Sequence, residues 1–156
     1  MPVSQMRVPA AWVTGFVAGC MLLSGLTAQT FTVGGAAPDY PDLQSAVAAV
    51  PPGAVLRVRA GKYRGFTTGK PLRIRLEFTG AEGAIEAPPG AAHAVVITGL
   101  PAFTTFALIG DAAVVTGGSL GAIRVANTAG SGFLSGLDGT AGLGVAVDVQ
   151  DAAPVH

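Results

Sequence analysis

The chain has 156 residues, of which 50% are hydrophobic and only 12% are charged. Nine basic residues balance nine acidic ones, and this zero net charge argues against a nucleic-acid binder that works through bulk electrostatics. The composition, with 23 glycines, 11 prolines and many aliphatic residues, excludes a disordered polar tail, a coiled coil and a long helical bundle. The single cysteine excludes an internal disulfide framework. We expect no nucleic-acid partner, no metal and no cofactor.

Residues 1–28 predict a secretory signal peptide. Arg7 supplies the basic start, residues 8–26 supply the apolar stretch, and small residues allow cleavage after Ala28. A second interpretation is a lipobox around Cys20, which would then be lipidated and would anchor the protein to a membrane. Both interpretations predict an extracytoplasmic protein, secreted or at the cell surface. They limit membrane contact to the leader or a lipidated Cys20.

The sequence of residues 29–53 predicts a short strand followed by a capping helix. Residues 31–33 alternate between apolar and polar side chains and end at two glycines, which is typical of a strand. Asp39 is expected to cap a helix that begins one or two residues later and stops at Pro51. One face of this helix is apolar and carries Leu43, Val47 and Val50. Such a helix must cover another part of the fold.

From residue 54 onward the apolar period changes to two, which indicates β-strands. In residues 55–59 and 72–78, aliphatic residues alternate with arginines. Further short strands are predicted at residues 94–98, 106–109, 113–116, 122–125 and 145–149. Residues 94–96 and 113–115 are similar, which suggests a short, imperfect repeat. This pattern favours about five stacked coils of a β-solenoid, with a β-sandwich as the alternative. The opening helix favours the solenoid, because the first coil of a stack needs a cover.

Two segments resemble the start of pectin-lyase-like right-handed parallel β-helix proteins. DYPDLQSAV (39–47) is similar to the helix that caps such a stack, and PGAVLRVRAGKY (52–63) is similar to the strand and turn that follow it. The resemblance covers about residues 31–80 and departs at Ala54, where the family often has Asp. It implies an all-β fold, a right-handed parallel β-helix with a short N-terminal capping helix. It also implies an association with the cell surface or with carbohydrate.

The basic residues are concentrated in one part of the sequence. Seven of the nine lie within 19 positions: Arg57, Arg59, Lys62, Arg64, Lys70, Arg73 and Arg75. If the two arginine-bearing strands lie on successive coils, Arg57 and Arg59 stack near Arg73 and Arg75 on one outer face. Such a patch suits carboxylates or sulfates of acidic polysaccharides. Like charges directly opposite destabilise a sheet, so the patch favours an anionic partner. The alternative is a solvated surface neutralised by Glu77, Glu82 and Glu86.

Other candidate sites carry weaker signals. GGSLG (117–121) matches a nucleophile elbow in which Ser119 would act with His156, but that motif requires a following helix, and a strand and a Gly-rich turn follow instead. Two close acidic pairs could serve as glycosidase carboxylates or calcium ligands, or be solvated turn residues: Glu82 with Glu86, and Asp148 with Asp151. His93 is expected in a turn. Four phenylalanines could stack on sugars if exposed, but we expect them in the core: Phe66, Phe103, Phe106 and Phe133.

The sequence therefore predicts an exported, non-catalytic β-helix module associated with the cell surface or with carbohydrate. One alternative is the N-terminal part of a polysaccharide lyase or esterase acting on uronate-containing glycans. The resemblance would place its catalytic residues on later coils. Another alternative is a small serine hydrolase that uses Ser119. The coils are expected to occupy residues 54–156 and to be incomplete at the C-terminal end, whose open edge could associate with a second copy.

Overall fold

The computed structural model describes residues 27–117, 122–139 and 147–152. In these ranges the chain is a parallel β-solenoid of about four turns with one short helix, and it fits a right-handed β-helix. The fold class predicted from the sequence is confirmed. The elements in chain order are β1 (Thr30–Val33), α1 (Leu43–Ala49), β2 (Val55–Val58), β3 (Lys62–Arg64), β4 (Phe66–Thr68), β5 (Arg73–Leu76), β6 (Ala84–Glu86), β7 (Val95–Thr98), β8 (Thr105–Thr116), β9 (Ile123–Thr128), β10 (Ser131–Asp138) and β11 (Val147–Ala152).

Strands of successive turns stack in parallel into three faces. Face 1 consists of β1, β2, β5 and the first halves of β8 and β10. Face 2 consists of β3, β6 and the second halves of β8 and β10. Face 3 consists of β4, β7, β9 and β11. Because β8 continues from face 1 into face 2, the two strands predicted at residues 106–109 and 113–116 are one strand.

The core lies inside the coil and is filled by alternate residues of each strand. On face 1, Leu56, Ile74 and Leu108 stack in register on neighbouring strands, and each is 0% exposed. Successive side chains of a strand point to opposite sides of the sheet, so the arginines between these aliphatic residues point outward. Burial of one such side chain contributes about 1.5–3 kcal/mol. The predicted alternation in residues 55–59 and 72–78 therefore builds the inner wall of the solenoid.

The turns are less regular than the sequence recurrence suggested. On face 1, Val55 pairs with Arg73, Arg73 with Ala107 and Ala107 with Phe133, so successive repeats differ in length and the second is nearly twice the first. The two similar segments that suggested a short repeat lie on different faces, near β7 on face 3 and in β8 on face 2. The described residues form about four turns where about five coils were expected, because the corner loops differ in length and some are long.

Helix α1 covers the first turn of the solenoid, where it packs against β3 and β4. Its predicted apolar stripe is confirmed, since Leu43, Val47 and Val50 are 1 to 2% exposed. The cap was predicted one turn too early. Asp42 is the N-cap, and its Oδ1 accepts a hydrogen bond from the Ser45 backbone N–H at 2.8 Å.

Asp39, which the sequence suggested as the cap, holds β1 instead. Its Oδ2 accepts hydrogen bonds from the backbone N–H of Thr32 at 2.7 Å and from the Thr32 hydroxyl at 2.8 Å. The Tyr40 backbone N–H also donates to the Thr32 carbonyl at 3.1 Å. These bonds fold residues 34–40 back on β1, so the chain reaches the N-cap of the helix shortly after Tyr40.

The C-terminal end of α1 is held by Lys70, which lies in the corner after β4. Its Nζ donates to the carbonyl oxygens of Ala48 at 2.6 Å, Val50 at 3.0 Å and Val47 at 3.1 Å. The last carbonyls of a helix have no partner within the helix and carry the negative end of its dipole, so a cation stabilises them. Lys70 belongs to the basic cluster of the sequence, but it serves the fold and not the outer surface.

Lys70→Met should lower the free energy of unfolding by about 1–2 kcal/mol, because the helix end loses its charged donor. Lys62→Met is the matched control. The Lys62 side chain is 81% exposed and its Nζ lies 3.7 Å from Glu86 Oε1, so its loss should change stability by less than about 0.5 kcal/mol. Chemical denaturation of both variants measures the difference. Equal losses of stability in the two variants would show that the hydrogen bonds of Lys70 to the helix end add nothing beyond its charge.

Candidate anion-binding face

The arginine patch predicted from the sequence lies on the outer surface of face 1. Arg57 belongs to β2, Arg73 and Arg75 belong to β5, Arg59 directly follows β2, and all four are exposed. The register pairs Arg57 with Arg75 and Val55 with Arg73. Only one pair of these four arginines is therefore directly opposed. The position beside Arg59 on the next strand is taken by Glu77.

Glu77 neutralises part of the patch. Its Oε1 accepts a hydrogen bond from Arg57 Nε at 2.6 Å, and its Oε2 lies 2.9 Å from Arg59 Nη1. The hydrogen bond from Arg57, together with the positive charges of Arg57, Arg59 and Arg75, lowers the pKa of Glu77 below 4.5. Glu77 is therefore an ionised carboxylate held between two guanidinium groups at neutral pH.

The other two glutamates considered as counter-ions do not contact the patch. Glu86 lies on face 2, where its carboxylate pairs with Lys62. Glu82 accepts a hydrogen bond from the Thr79 backbone N–H at 3.0 Å in the corner after β5. Of the three glutamates considered as counter-ions, Glu77 is therefore the one that neutralises part of the patch.

Arg73 and Arg75 keep their charge available. In the part of the chain that the structure describes, no carboxylate forms an ion pair with either of them. Within the described residues, one carboxylate thus pairs with two of the four guanidinium groups of the patch. A groove of about 430 Å³ adjoins Arg75, but three carboxylates line it, those of Glu77, Glu82 and Asp111. An anion is therefore better accommodated on the Arg73 side, away from the groove.

On the Arg73 side the surface becomes apolar. Ala107 pairs directly with Arg73, and Phe133 pairs with Ala107 on the next strand. Ala107 is only 6% exposed although its position points outward, because larger side chains flank it, whereas Phe133 is 42% exposed. With strands about 4.8 Å apart, Arg73 and Phe133 stand about 9.6 Å apart across a small residue. The prediction that Phe133 fills the core was wrong.

The other three phenylalanines divide in the same way. Phe66 and Phe106 are 2% and 0% exposed and their ring centroids lie 6.4 Å apart, so their predicted core positions are confirmed. Phe103 was also expected in the core, but it lies in the corner before β8 and is fully exposed. Phe133 lies in β10, two positions from both Ser131 and Ser135, and this alternation would have predicted that it points outward. The strand was not predicted because its sequence is rich in glycine.

No family model matches this chain, and neither does any curated protein or any solved structure. The likeness of residues 31–80 to pectin-lyase-like proteins therefore remains an interpretation of the sequence. The solenoid and its arginine face stand on the geometry described above.

Several predicted sites lie outside the described residues. Cys20, Ser119 and His156 belong to this group, so the lipidation and serine hydrolase hypotheses stay predictions. Within residues 27–117, 122–139 and 147–152, no group of three or more His, Cys, Asp or Glu side chains is arranged to hold a metal ion. The same ranges contain no helix long and apolar enough to cross a membrane.

His93 is buried at 6% exposure just before β7, where an ordinary turn residue was expected. Its Nε2 lies 4.0 Å from Asp148 Oδ2 on β11, and Arg124 Nε on β9 lies 4.0 Å from the same oxygen. Val96 pairs with Arg124 and Arg124 with Asp148, so this cluster links three successive turns on face 3. Asp148 and Asp151, considered as a site or as solvated turn residues, both belong to β11, and Asp148 takes part in this cluster.

The free energy of unfolding should fall as the pH becomes acidic. Hydrogen bonds from Thr32 to Asp39, from Ser45 to Asp42 and from Arg57 to Glu77 lower the pKa of each carboxyl below its ordinary value. A carboxyl with a lowered folded-state pKa adds stability above its unfolded pKa, and that stability is lost as the pH falls through the folded pKa. Denaturation at a series of pH values should show the decline beginning below about pH 5.

The control for this profile is Asp42→Asn, which can still cap α1 but does not titrate. Its stability should fall less steeply in acid than that of the parent. A parent profile that stays flat down to about pH 2 would contradict the role of these carboxylates.

Proposed function

We propose that this protein is an exported, non-catalytic β-solenoid module that binds acidic polysaccharides through the outer surface of face 1. The observation that carries the proposal is the excess of cations there, since within the described residues the one carboxylate paired with the four arginines, that of Glu77, contacts only two of them. Arg57 and Arg75 are directly opposed on neighbouring strands, and like charges in that position repel. A bound anion would relieve a repulsion that the fold already contains.

The chemistry of the side chains supports an extended anionic ligand. A guanidinium group binds a carboxylate or sulfate through two parallel hydrogen bonds, which a lysine cannot do. Arg73 and Arg75 are two residues apart on one strand, so their Cα atoms are separated by about 6.6 Å. A polymer with repeated acidic groups could occupy both. Phe133, two strands from Arg73, offers an aromatic surface for the apolar side of a neighbouring sugar ring.

Two further observations support export and the absence of catalysis. The N-terminal sequence, with Arg7 before an apolar stretch, has the pattern of a leader that would deliver the protein to extracytoplasmic polysaccharides. Glu77 is the one carboxylate that contacts the arginines within the described ranges. It is ion-paired with a lowered pKa, so it is a poor general acid or base. A lyase or esterase would need a different group at this surface.

The proposal is tested by titrating the protein with polygalacturonate, a polymer of uronic acids, in an isothermal calorimeter. The double variant Arg73→Gln with Arg75→Gln should bind at least about tenfold more weakly, because two charge-assisted contacts are lost. Glu77→Gln should bind more tightly, by roughly threefold, because the counter-ion is removed. Both effects should shrink as salt is added.

The matched control is Arg64→Gln, which removes an exposed arginine of face 2 and should leave the affinity unchanged within about twofold. Neutral dextran should not bind to any of these proteins. Absence of polygalacturonate binding by the parent would refute the proposal, as would equal losses in the face 1 and face 2 variants.

A further inference from the structure

The turn that carries Phe103 has an unusual backbone and an unusual surface. Phe103 is fully exposed, with a relative accessibility of 106%, and its φ is 61°. It is the third residue of a four-residue turn in which the Thr104 N–H donates to the Pro101 carbonyl at 3.3 Å. This left-handed conformation normally requires glycine, because it crowds the Cβ of any other residue. The fold thus keeps a bulky aromatic ring where glycine would be less strained.

The turn is also held in place. The Thr104 hydroxyl donates to the Pro101 carbonyl at 2.6 Å, and the Thr104 carbonyl accepts a hydrogen bond from Ser131 N–H at 2.9 Å. Gly130 packs so closely against the turn that a Cβ there would lie 2.7 Å from the Thr104 carbonyl oxygen. Contacts with the next turn of the solenoid therefore hold Phe103 in a fixed position.

The segment of the chain that carries Phe103 has no charge. Residues 94–110 contain no charged side chain, and Pro101, Ala102 and Thr105 are all exposed. At the preceding corner, the Gly53 N–H donates to the Pro71 carbonyl at 2.6 Å. The cation of that corner, Lys70, is folded back on α1.

Positive charge lies close to this uncharged corner. Arg73 pairs with Ala107, which is four residues after Phe103, so at most about 13 Å of chain separates Phe103, the tip of the turn, from that position. Arg73 and Arg75 form no ion pair with a described carboxylate. An aromatic tip next to available cations complements a surface that is apolar inside and anionic at its rim. An anionic lipid bilayer has that arrangement.

We propose that Phe103 inserts into the surface of an anionic lipid bilayer while Arg73 and Arg75 contact the headgroups. This membrane contact is separate from the leader and goes beyond polysaccharide binding, although the two share arginines. A sugar stacks on a ring that lies flat on a surface with polar groups beside it. The Phe103 ring protrudes from an uncharged turn, so it suits a medium that surrounds it with acyl chains.

The test uses the full chain with one tryptophan as a local reporter, because the apolar leader could itself bind vesicles. Trp12→Phe removes the native tryptophan, and Phe103→Trp places one at the tip. The matched control carries Gln44→Trp in the same background, at an exposed position of the cap helix. Emission is recorded with vesicles of phosphatidylcholine, with or without phosphatidylglycerol, whose acyl chains are brominated near the interface.

Tryptophan at position 103 should shift to shorter wavelength and be quenched by the brominated chains, and more strongly with phosphatidylglycerol. Replacing Arg73 and Arg75 by glutamine should remove the dependence on phosphatidylglycerol, while tryptophan at position 44 should not respond. A response at position 103 no larger than that at position 44 would overturn the proposal.

A second variant separates the tip from the polysaccharide site. Phe103→Gly relieves the strained φ, so its melting temperature should be no lower than that of the parent. Its polygalacturonate affinity should stay within about twofold of the parent's. A loss as large as that of the arginine double variant would assign Phe103 to the polysaccharide site and overturn the membrane proposal. Failure of the parent to bind polygalacturonate would refute the proposed function but leave the vesicle result standing.

Discussion

Gly65→Ala should lower the free energy of unfolding by about 3 kcal/mol or more, or prevent folding altogether. A Cβ at residue 65 would overlap the backbone carbonyl of Ala94 on the next turn. That carbonyl accepts a hydrogen bond from the Phe66 N–H at 2.9 Å, and the Gly65 N–H donates to the Glu86 carbonyl at 2.8 Å. Because both sides of the contact are backbone in the stacked turns, neither can move away without breaking hydrogen bonds between them.

Gly90→Ala provides the control for this variant. Gly90 has φ 79°, but no atom lies within 4 Å of the position that a Cβ would take. Alanine there would therefore strain the backbone without a steric clash. We expect a loss of about 1 kcal/mol. Circular dichroism and chemical denaturation would compare the two proteins. If Gly65→Ala is no less stable than Gly90→Ala, the turns are not in the close contact described here.

Ile74→Ala should cost about 2–5 kcal/mol, the range for removing a large buried aliphatic side chain. Ile74 is 0% exposed and lies in register between Leu56 and Leu108, on strands whose spacing is fixed by their hydrogen bonds. The resulting cavity cannot close by a shift of one strand alone. Ile74→Val removes a single methyl group and should cost about 0.5–1.5 kcal/mol.

Arg73, the residue before Ile74, provides a control on the opposite side of the same strand. Arg73→Ala changes an exposed side chain of the same strand, so its free energy of unfolding should stay within about 0.5 kcal/mol of the parent's. Urea denaturation of the alanine variants at both positions measures which side of β5 faces the core. Similar losses at both positions would contradict the register of face 1.

Strands β2 and β5 were predictable because four or more residues alternate strictly between aliphatic side chains and arginines. The three-residue strands β3, β4 and β6 were not, since each is too short to show a period. In β3 only Tyr63 is buried, and in β6 only Ile85. Their strand conformation is imposed by pairing with neighbouring turns, which is a tertiary effect. A constant repeat length was predicted wrongly for the same reason. Strand pairing fixes the positions of the strands, whereas the number of residues in the corners can vary.

The candidate site was predictable in part. The clustering of arginines in sequence and their alternation with buried residues placed them on one outer face, and the structure brings them together. Two features of the site could be recognised only in the three-dimensional structure. Lys70 lies within the same basic cluster of the sequence, but its ammonium holds the end of α1. Phe133 is distant from Arg73 in the sequence, and only the stacking of turns places both on one surface.

The unequal repeats of face 1 have a consequence for engineering. One repeat is nearly twice as long as the one before it although the strands pair in the same way, so added chain is accommodated at the corners. Doubling the length of a flexible loop costs only about 0.6 kcal/mol of closure entropy. The exposed corner at Pro89 and Gly90 is therefore a suitable graft point. A foreign peptide inserted there would be displayed on the solenoid, and the arginine surface would be left intact.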